Sequence, residues 1–316
     1  MTSRIRASLI LHALLLGAVV FPACAPRSAG PGPSLAYGVA LGPGGFELRL
    51  EAEDLPGRRP VLRLLDSWGT LAGMPGHVTD LRATDETGGE IPVAVEQADG
   101  ETRWRLARNP GRITITYRVL GYDPFVSPEA SFVEESRLVL IGYSLFLLPV
   151  RPGPWDPIDA TIRLQAPAGW EIWGSWPQEG DAFRPATLHD LWSGFAAAGD
   201  FKAARLGSGR VGVSVLTEGR ASAGLALSIA NRLLPMLRET AAVFGGPPRG
   251  ERLDVLALYR MAPPAGNRSI VSGTSQVGAF LCLATPDHFN DQDGLTALAA
   301  HECFHFYIGG AVTAEA

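Results

Sequence analysis

Near the C-terminal end of the sequence, Leu295 to Gly310 reads LTALAAHECFHFYIGG and carries His301, Glu302 and His305 in the spacing H-E-x-x-H. On an α-helix, residues four apart share one face with Cβ atoms about 5–6 Å apart. Two imidazoles at that spacing can aim at one ion, and zinc is the metal such a pair suits. Glu302 follows one step round the helix, where a carboxylate can take a proton from a water polarised by the ion. The chemistry implied is metal-assisted peptide hydrolysis, with His301 and His305 as metal ligands and Glu302 as the general base.

So short a motif can arise by chance, and its surroundings must decide. Asp291 or Asp293 can cap a helix start, Leu295 and Ala297 to Ala300 favour helix, and Gly309 and Gly310 end it. Cys303 points away from both histidines and reads as a packing residue. The plain alternative is a buried amphipathic helix with incidental histidines.

The elements that must hold this helix come directly before it. Leu225, Ile229, Leu233 and Leu237 form one apolar stripe, so Ser222 to Phe244 reads as a helix, with Pro235 inside it and Gly245-Gly246-Pro247 after it. Val211 to Leu216, Leu253 to Tyr259 and Val277 to Leu283 read as strands, and Ala262 to Ser275 as a loop bordering a cleft. Helix, strand, loop, strand and motif helix is the order in which zinc peptidases of the thermolysin-like class set a mixed sheet before the active helix. By that analogy Val277 to Leu283 is the sheet edge that pairs with an extended peptide.

Upstream, apolar and polar residues alternate over Phe46 to Ala52, Val61 to Leu65, Ile91 to Val95 and Ile113 to Val119. Turn signals such as Pro56-Gly57, Gly88-Gly89 and Asp99-Gly100 separate these runs, which predicts an antiparallel β-sandwich over residues 35–208. Arg137 to Val150 and Ala160 to Gln165 continue the series. Trp155, Trp170, Trp173, Trp176 and Trp192 cluster late in this region; they read as core or seam packing, with a carbohydrate platform as the alternative. His77 and His189 stand alone and read as surface residues.

The first 23 residues carry Arg4 and Arg6 before an uncharged apolar run too short for a usual membrane span, which predicts a secretory signal. Phe21-Pro22-Ala23-Cys24 resembles a bacterial lipoprotein signal, so Cys24 is a candidate for lipidation and membrane anchoring; ordinary cleavage nearby is the other reading. Residues 24–34 form a Pro- and Gly-rich tether. Localisation is then the periplasm or cell envelope. Removing the leader takes away two arginines and no acid, so the net charge of −5 becomes −5 − 2 = −7. A mildly acidic chain without a basic run argues against nucleic acid as a partner. Cys282 and Cys303 could pair in an oxidising compartment, but two cysteines make no disulfide framework.

The segment LRLLDSWGTLAGMPGHVTDLRATDETGGEIPV, a later TITYRV, a helix, and then AAHECFHFYIGGAVTAE together resemble the glycyl aminopeptidase family of gluzincins. The resemblance implies an α+β chain: an N-terminal β-domain, then the first half of a thermolysin-like catalytic domain over residues 209–316, with a PDZ domain commonly following in the family. It implies a Zn2+ cofactor held by His301 and His305, Glu302 as base, a peptide or protein substrate, and aminopeptidase-type action. The sequence departs from the family after the motif. Gluzincins take a third ligand, a glutamate on a downstream helix, whereas the only acid after His305 is Glu315, ten residues on. No third zinc ligand is therefore expected in this chain. A metzincin pattern fails too, because Ile308 and Ala311 stand where its glycine and histidine belong. The expectation is an incomplete form of a zinc peptidase; the alternative is an inactive, envelope-associated β-rich binding protein with a relic motif helix. The oligomeric state stays open.

Overall fold

The structure, a computed structural model, describes residues 32–308 except 70, 125, 128–129, 219–222, 248–252, 262–270, 277 and 286–291. Cys24, the leader, Asp291's cap position, Gly309-Gly310 and Glu315 lie outside the described residues. The fold is α+β.

Alternation builds the N-terminal region. In the strand Gly45–Glu53, Phe46, Leu48, Leu50 and Ala52 are buried while Glu47, Arg49 and Glu51 face solvent, as a half-buried pleat requires. This strand lies between Ser34–Gly42 and Arg112–Leu120 in a seven-stranded sheet whose neighbours are antiparallel, except that Ser34–Gly42 runs parallel to Asp159–Gln165. Two four-stranded sheets accompany it. One contains Leu148–Pro149, Val61–Leu65, Glu101–Leu106 and Val93–Ala98; the other contains Phe132–Glu134, Arg137–Ile141, Phe195–Gly199 and Glu171–Gly174. Asp99 and Gly100, both at positive φ, turn the hairpin between Val93–Ala98 and Glu101–Leu106.

Arg137 to Val150 does not continue as one strand. It forms the strand Arg137–Ile141, a helical turn Gly142–Leu145, and a two-residue strand Leu148–Pro149. The run is apolar without a period, so its sequence pattern could not reveal the break. Backbone carbonyls freed by the turn find buried partners: Tyr37 Oη donates to the Leu147 carbonyl at 2.7 Å and Tyr117 Oη to the Leu145 carbonyl at 3.2 Å.

A five-stranded sheet follows, in the order Lys202–Ser208, Val211–Thr217, Leu253–Met261, Ala279–Ala284, Val271–Gln276. Its three inner strands are parallel and its outer strands antiparallel. Both faces are covered, which is why LDVLALY and AFLCLA read as near-continuous apolar runs. Leu216, Leu256, Leu258, Ala279 and Leu281 pack into the core of the N-terminal region. Val213, Val215, Val255, Ala257, Phe280 and Cys282 pack instead under two helices, Ala223–Val243 and Gln292–Ile308. The predicted stripe Ile229, Leu233 and Leu237 is the buried side of the longer helix. The sheet takes in Lys202–Ser208, which lies before the 208/209 position drawn from sequence.

Candidate metal centre

The helix Gln292–Ile308 seats itself by Leu295, Ala299 and Cys303, spaced four apart and fully buried against the five-stranded sheet. Cys303 is thus the packing residue that its position implied. Cys282 rises from strand Ala279–Ala284 into the same cluster; both thiols are free and buried, so the structure does not pair them. Burial pushes the Cys282 thiol up, and the nearby Glu302 carboxylate and Cys303 add to it. Asp293 lies in the first turn, where its charge suits the helix dipole, and its carboxylate accepts from Arg232 of the longer helix at 2.5 Å.

His301 and His305 emerge on the exposed flank of the helix, and Glu302, one step round, turns inward with 5% exposure. The two Nε2 atoms stand 3.3 Å apart, with the rings nearly perpendicular at 86°. A hydrogen bond between two neutral imidazoles satisfies this separation. So does a shared ion: two nitrogens about 2.0–2.1 Å from a tetrahedral zinc lie about 3.3–3.4 Å from each other. The separation is therefore one that two ligands of a single zinc ion can have. Among the described residues no group of three or more His, Cys, Asp or Glu side chains gathers to hold a metal.

The motif helix packs along the strands Val271–Gln276 and Ala279–Ala284. Here the sequence reading needs correction. Residues 271–276 are a strand where a loop was expected, and this strand, not Val277 to Leu283, is the outer one beside the helix. VSGTSQ lacks an apolar alternation, which hid it. An edge strand need not bury a side-chain row, so it carries little of the pattern by which strands are read.

Sequence reasoning also missed a partly buried ring of charges at the seam between the N-terminal region and the five-stranded sheet. Arg260 is fully buried; its Nε donates to Glu218 at 2.9 Å, its Nη1 donates to the Pro124 carbonyl at 3.2 Å, and its Nη2 lies 3.7 Å from Glu134. Arg137 closes the ring with Nε at 2.5 Å from Glu134 and 3.3 Å from Glu218. The Arg260 guanidinium also lies over the Phe132 ring, 4.0 Å from its centroid. Burial raises the Glu218 carboxyl above its ordinary range, opposed by Arg260 and Arg137.

The tryptophans divide. Trp173 and Trp176 are buried, and Arg205 of the five-stranded sheet covers Trp173 at 4.9 Å, so these two belong to core and seam. Trp155, Trp170 and Trp192 are half-buried. Neither outlying histidine is a plain surface residue: His77 stacks on Tyr122 at 3.8 Å and His189 on Trp155 at 3.9 Å.

Residues 70–193 match the family described as the Peptidase M61 N-terminal domain. Among solved structures, the chain is similar to the aminopeptidase N family protein from Idiomarina loihiensis, with 20% identity and a TM-score of 0.69, over 86% of this chain and 47% of that one. It is also similar to leukotriene A4 hydrolase from Saccharomyces cerevisiae, with 14% identity and a TM-score of 0.49, over 87% of this chain and 43% of that one. The chain thus spans about half the length of these structures. No curated protein matches it. The family match lies within the β-rich region, before the motif helix, and it agrees with the resemblance to glycyl aminopeptidases drawn from the sequence.

Proposed function

We propose that the protein acts in zinc-dependent hydrolysis of peptide bonds, of the aminopeptidase type. The observation that carries this reading is the His301–His305 pair, 3.3 Å apart at Nε2, with Glu302 beside it on a helix that packs along an outer strand. The peptidase-domain match at residues 70–193 supports it.

His301 and His305 would hold the ion through Nε2. A bound zinc would supply Lewis acidity, lowering the pKa of water from about 16 toward about 7. Glu302 would accept a proton from water at a carboxylate oxygen and return it to the departing amine. The outer strand Val271–Gln276 pairs on one side with Ala279–Ala284, and among the described residues no strand pairs with its other side, whose backbone donors and acceptors would take an extended peptide and orient the scissile bond. Catalytic zinc usually has three protein ligands. His301 and His305 alone would hold zinc weakly.

Titration of the purified chain with zinc tests the assignment. One equivalent should bind, and His301→Ala should weaken binding by at least about tenfold, the loss of one of two ligands. No binding, or equal binding by the variant, overturns the assignment. Any turnover of aminoacyl amides should fall at least about a hundredfold in Glu302→Gln. We also place the mature protein at the cell envelope on the strength of its leader; its intact mass after export from the native host would show whether Cys24 carries acyl chains.

A further inference from the structure

A pocket of about 210 Å³ opens in the N-terminal region, built from residues that share nothing with the motif helix. Leu65, Leu148 and Leu188 are among its apolar walls, and Arg63, His189 and Trp192 are the lining side chains with polar atoms. Among the described residues no carboxylate lines it. A guanidinium and an indole donate hydrogen bonds and never accept them. His189 Nδ1 lies 3.3 Å from Ser193 Oγ, whose own proton goes to the His189 carbonyl at 2.6 Å, so that Nδ1 is a donor already used.

The charge of Arg63 is only half answered. On strand Val61–Leu65 it stands opposite Arg103 of strand Glu101–Leu106, a like-charge pair that costs stability unless a carboxylate intervenes. Glu101, opposite Leu65, is that carboxylate. Its Oε1 accepts from Arg63 Nη1 at 2.6 Å and its Oε2 from Arg103 Nε at 3.2 Å. Two guanidinium groups thus share one buried acid. The neighbouring acids do not redress this. Glu96, opposite Arg103, is held by Nε and Nη2 of Arg105, while Asp99, which also reaches Arg103, has a side chain 82% exposed and is screened by solvent. Among the described residues Glu101 is the only acceptor for Arg63, and it engages Nη1. That leaves Nε and Nη2, two parallel donors on one edge of the guanidinium, which is the fork a carboxylate matches.

These features select an apolar body carrying one carboxylate. The body gains by leaving water, and the carboxylate meets both a matching pair of donors and an excess of positive charge. A free amino acid is refused, because its ammonium would find no acid in the lining. A sugar would bury several hydroxyls, and a peptide end its amides, where the lining side chains offer no set of acceptors for them. Size agrees: a dry cavity of about 150 Å³ takes benzene, so this one takes a single ring with a short acid arm.

We propose that this pocket binds a small apolar monocarboxylic acid, its carboxylate on the Nε–Nη2 edge of Arg63 and its ring or branched chain against the leucines. The site does not rest on the zinc reading, because it shares no residue with His301, Glu302 or His305. Calorimetric titration of the 316-residue chain, freed of metal so that a carboxylate cannot report zinc instead, tests it. The probe 3-phenylpropanoate should bind saturably and one-to-one, at least about tenfold more tightly than its neutral isostere 3-phenylpropanamide. Phenethylammonium, a cation on the same ring, should not bind. Arg63→Met should bring the acid's Kd to that of the amide and leave the amide's Kd unmoved, which a general collapse of the pocket would not do. Should that variant unfold, Leu65→Trp is the second arm: by filling the pocket it should weaken acid and amide alike, by at least about tenfold. Acetyl-Ala-Ala-Phe carries the same ring and carboxylate on a peptide end and should bind more weakly than the free acid. No saturable binding of 3-phenylpropanoate overturns the proposal. So does acid binding that is no tighter than the amide's, is matched by the peptide, or is untouched by Arg63→Met or Leu65→Trp.

Discussion

The carboxylate of Asp85 gathers the donors of a turn that its backbone also closes, through Asp85 N–H to the Gly89 carbonyl and Gly88 N–H to the Asp85 carbonyl. It accepts from Arg108 Nη2 at 2.6 Å, from the Thr87 hydroxyl at 2.7 Å, and from the Thr87 and Gly89 amides at 3.0 and 2.8 Å. These donors, Arg108 first and the Thr87 hydroxyl next, hold the carboxyl well below the usual range. A depressed folded pKa means that Asp85 stabilises the fold above its unfolded value near pH 4 and loses that contribution as the pH falls. Asp85→Asn should therefore lower the thermal midpoint at pH 7, and the gap from the parent should narrow progressively as the pH falls below about 4. At Cys282 and Cys303 the relevant quantity is access: both are fully buried, so neither should be alkylated in the native chain, and both should react on unfolding, as peptide mass mapping would show. The motif residues were legible because helical spacing alone puts His301 and His305 together. The inward turn of Glu302 was not, because it depends on which side of the helix the sheet covers.

Elements were legible where packing imposes a period. The long helix and the strand Leu253–Met261 fell where their apolar patterns put them, since each must bury one stripe or two faces. The outer strand Val271–Gln276 and the helical turn Gly142–Leu145 escaped because neither depends on an apolar period. The turn depends on a close approach. A Cβ at Gly142 would overlap the backbone carbonyl oxygens of Leu191 and Trp192 on the neighbouring short helix. Backbone atoms cannot move aside cheaply, so Gly142→Ala should cost about 1–3 kcal/mol, read as a lower denaturation midpoint, while Gly76→Ala, which meets nothing, should be nearly neutral.

At the scale of the molecule, the α+β class and the order of its regions followed from the change of period after residue 220, but the seam could not be read. Glu134 and Arg137 are far in sequence from Glu218 and from Arg260, and charged residues are ordinarily counted as surface. Arg260→Met leaves Glu218 buried with a weaker partner set and should destabilise the chain by about 3–5 kcal/mol; adding Glu218→Leu should recover much of that, since an apolar pair replaces a buried charge pair at little cost. Chemical denaturation of the single and double variants decides it. The ring also bears on inheritance. Two of its charges come from each side of the seam, so a chimera joining this β-rich region to the sheet and motif helix of another lineage receives half a ring. Recombination at this seam should yield folded progeny only when both parents carry the same four-charge pairing, or none.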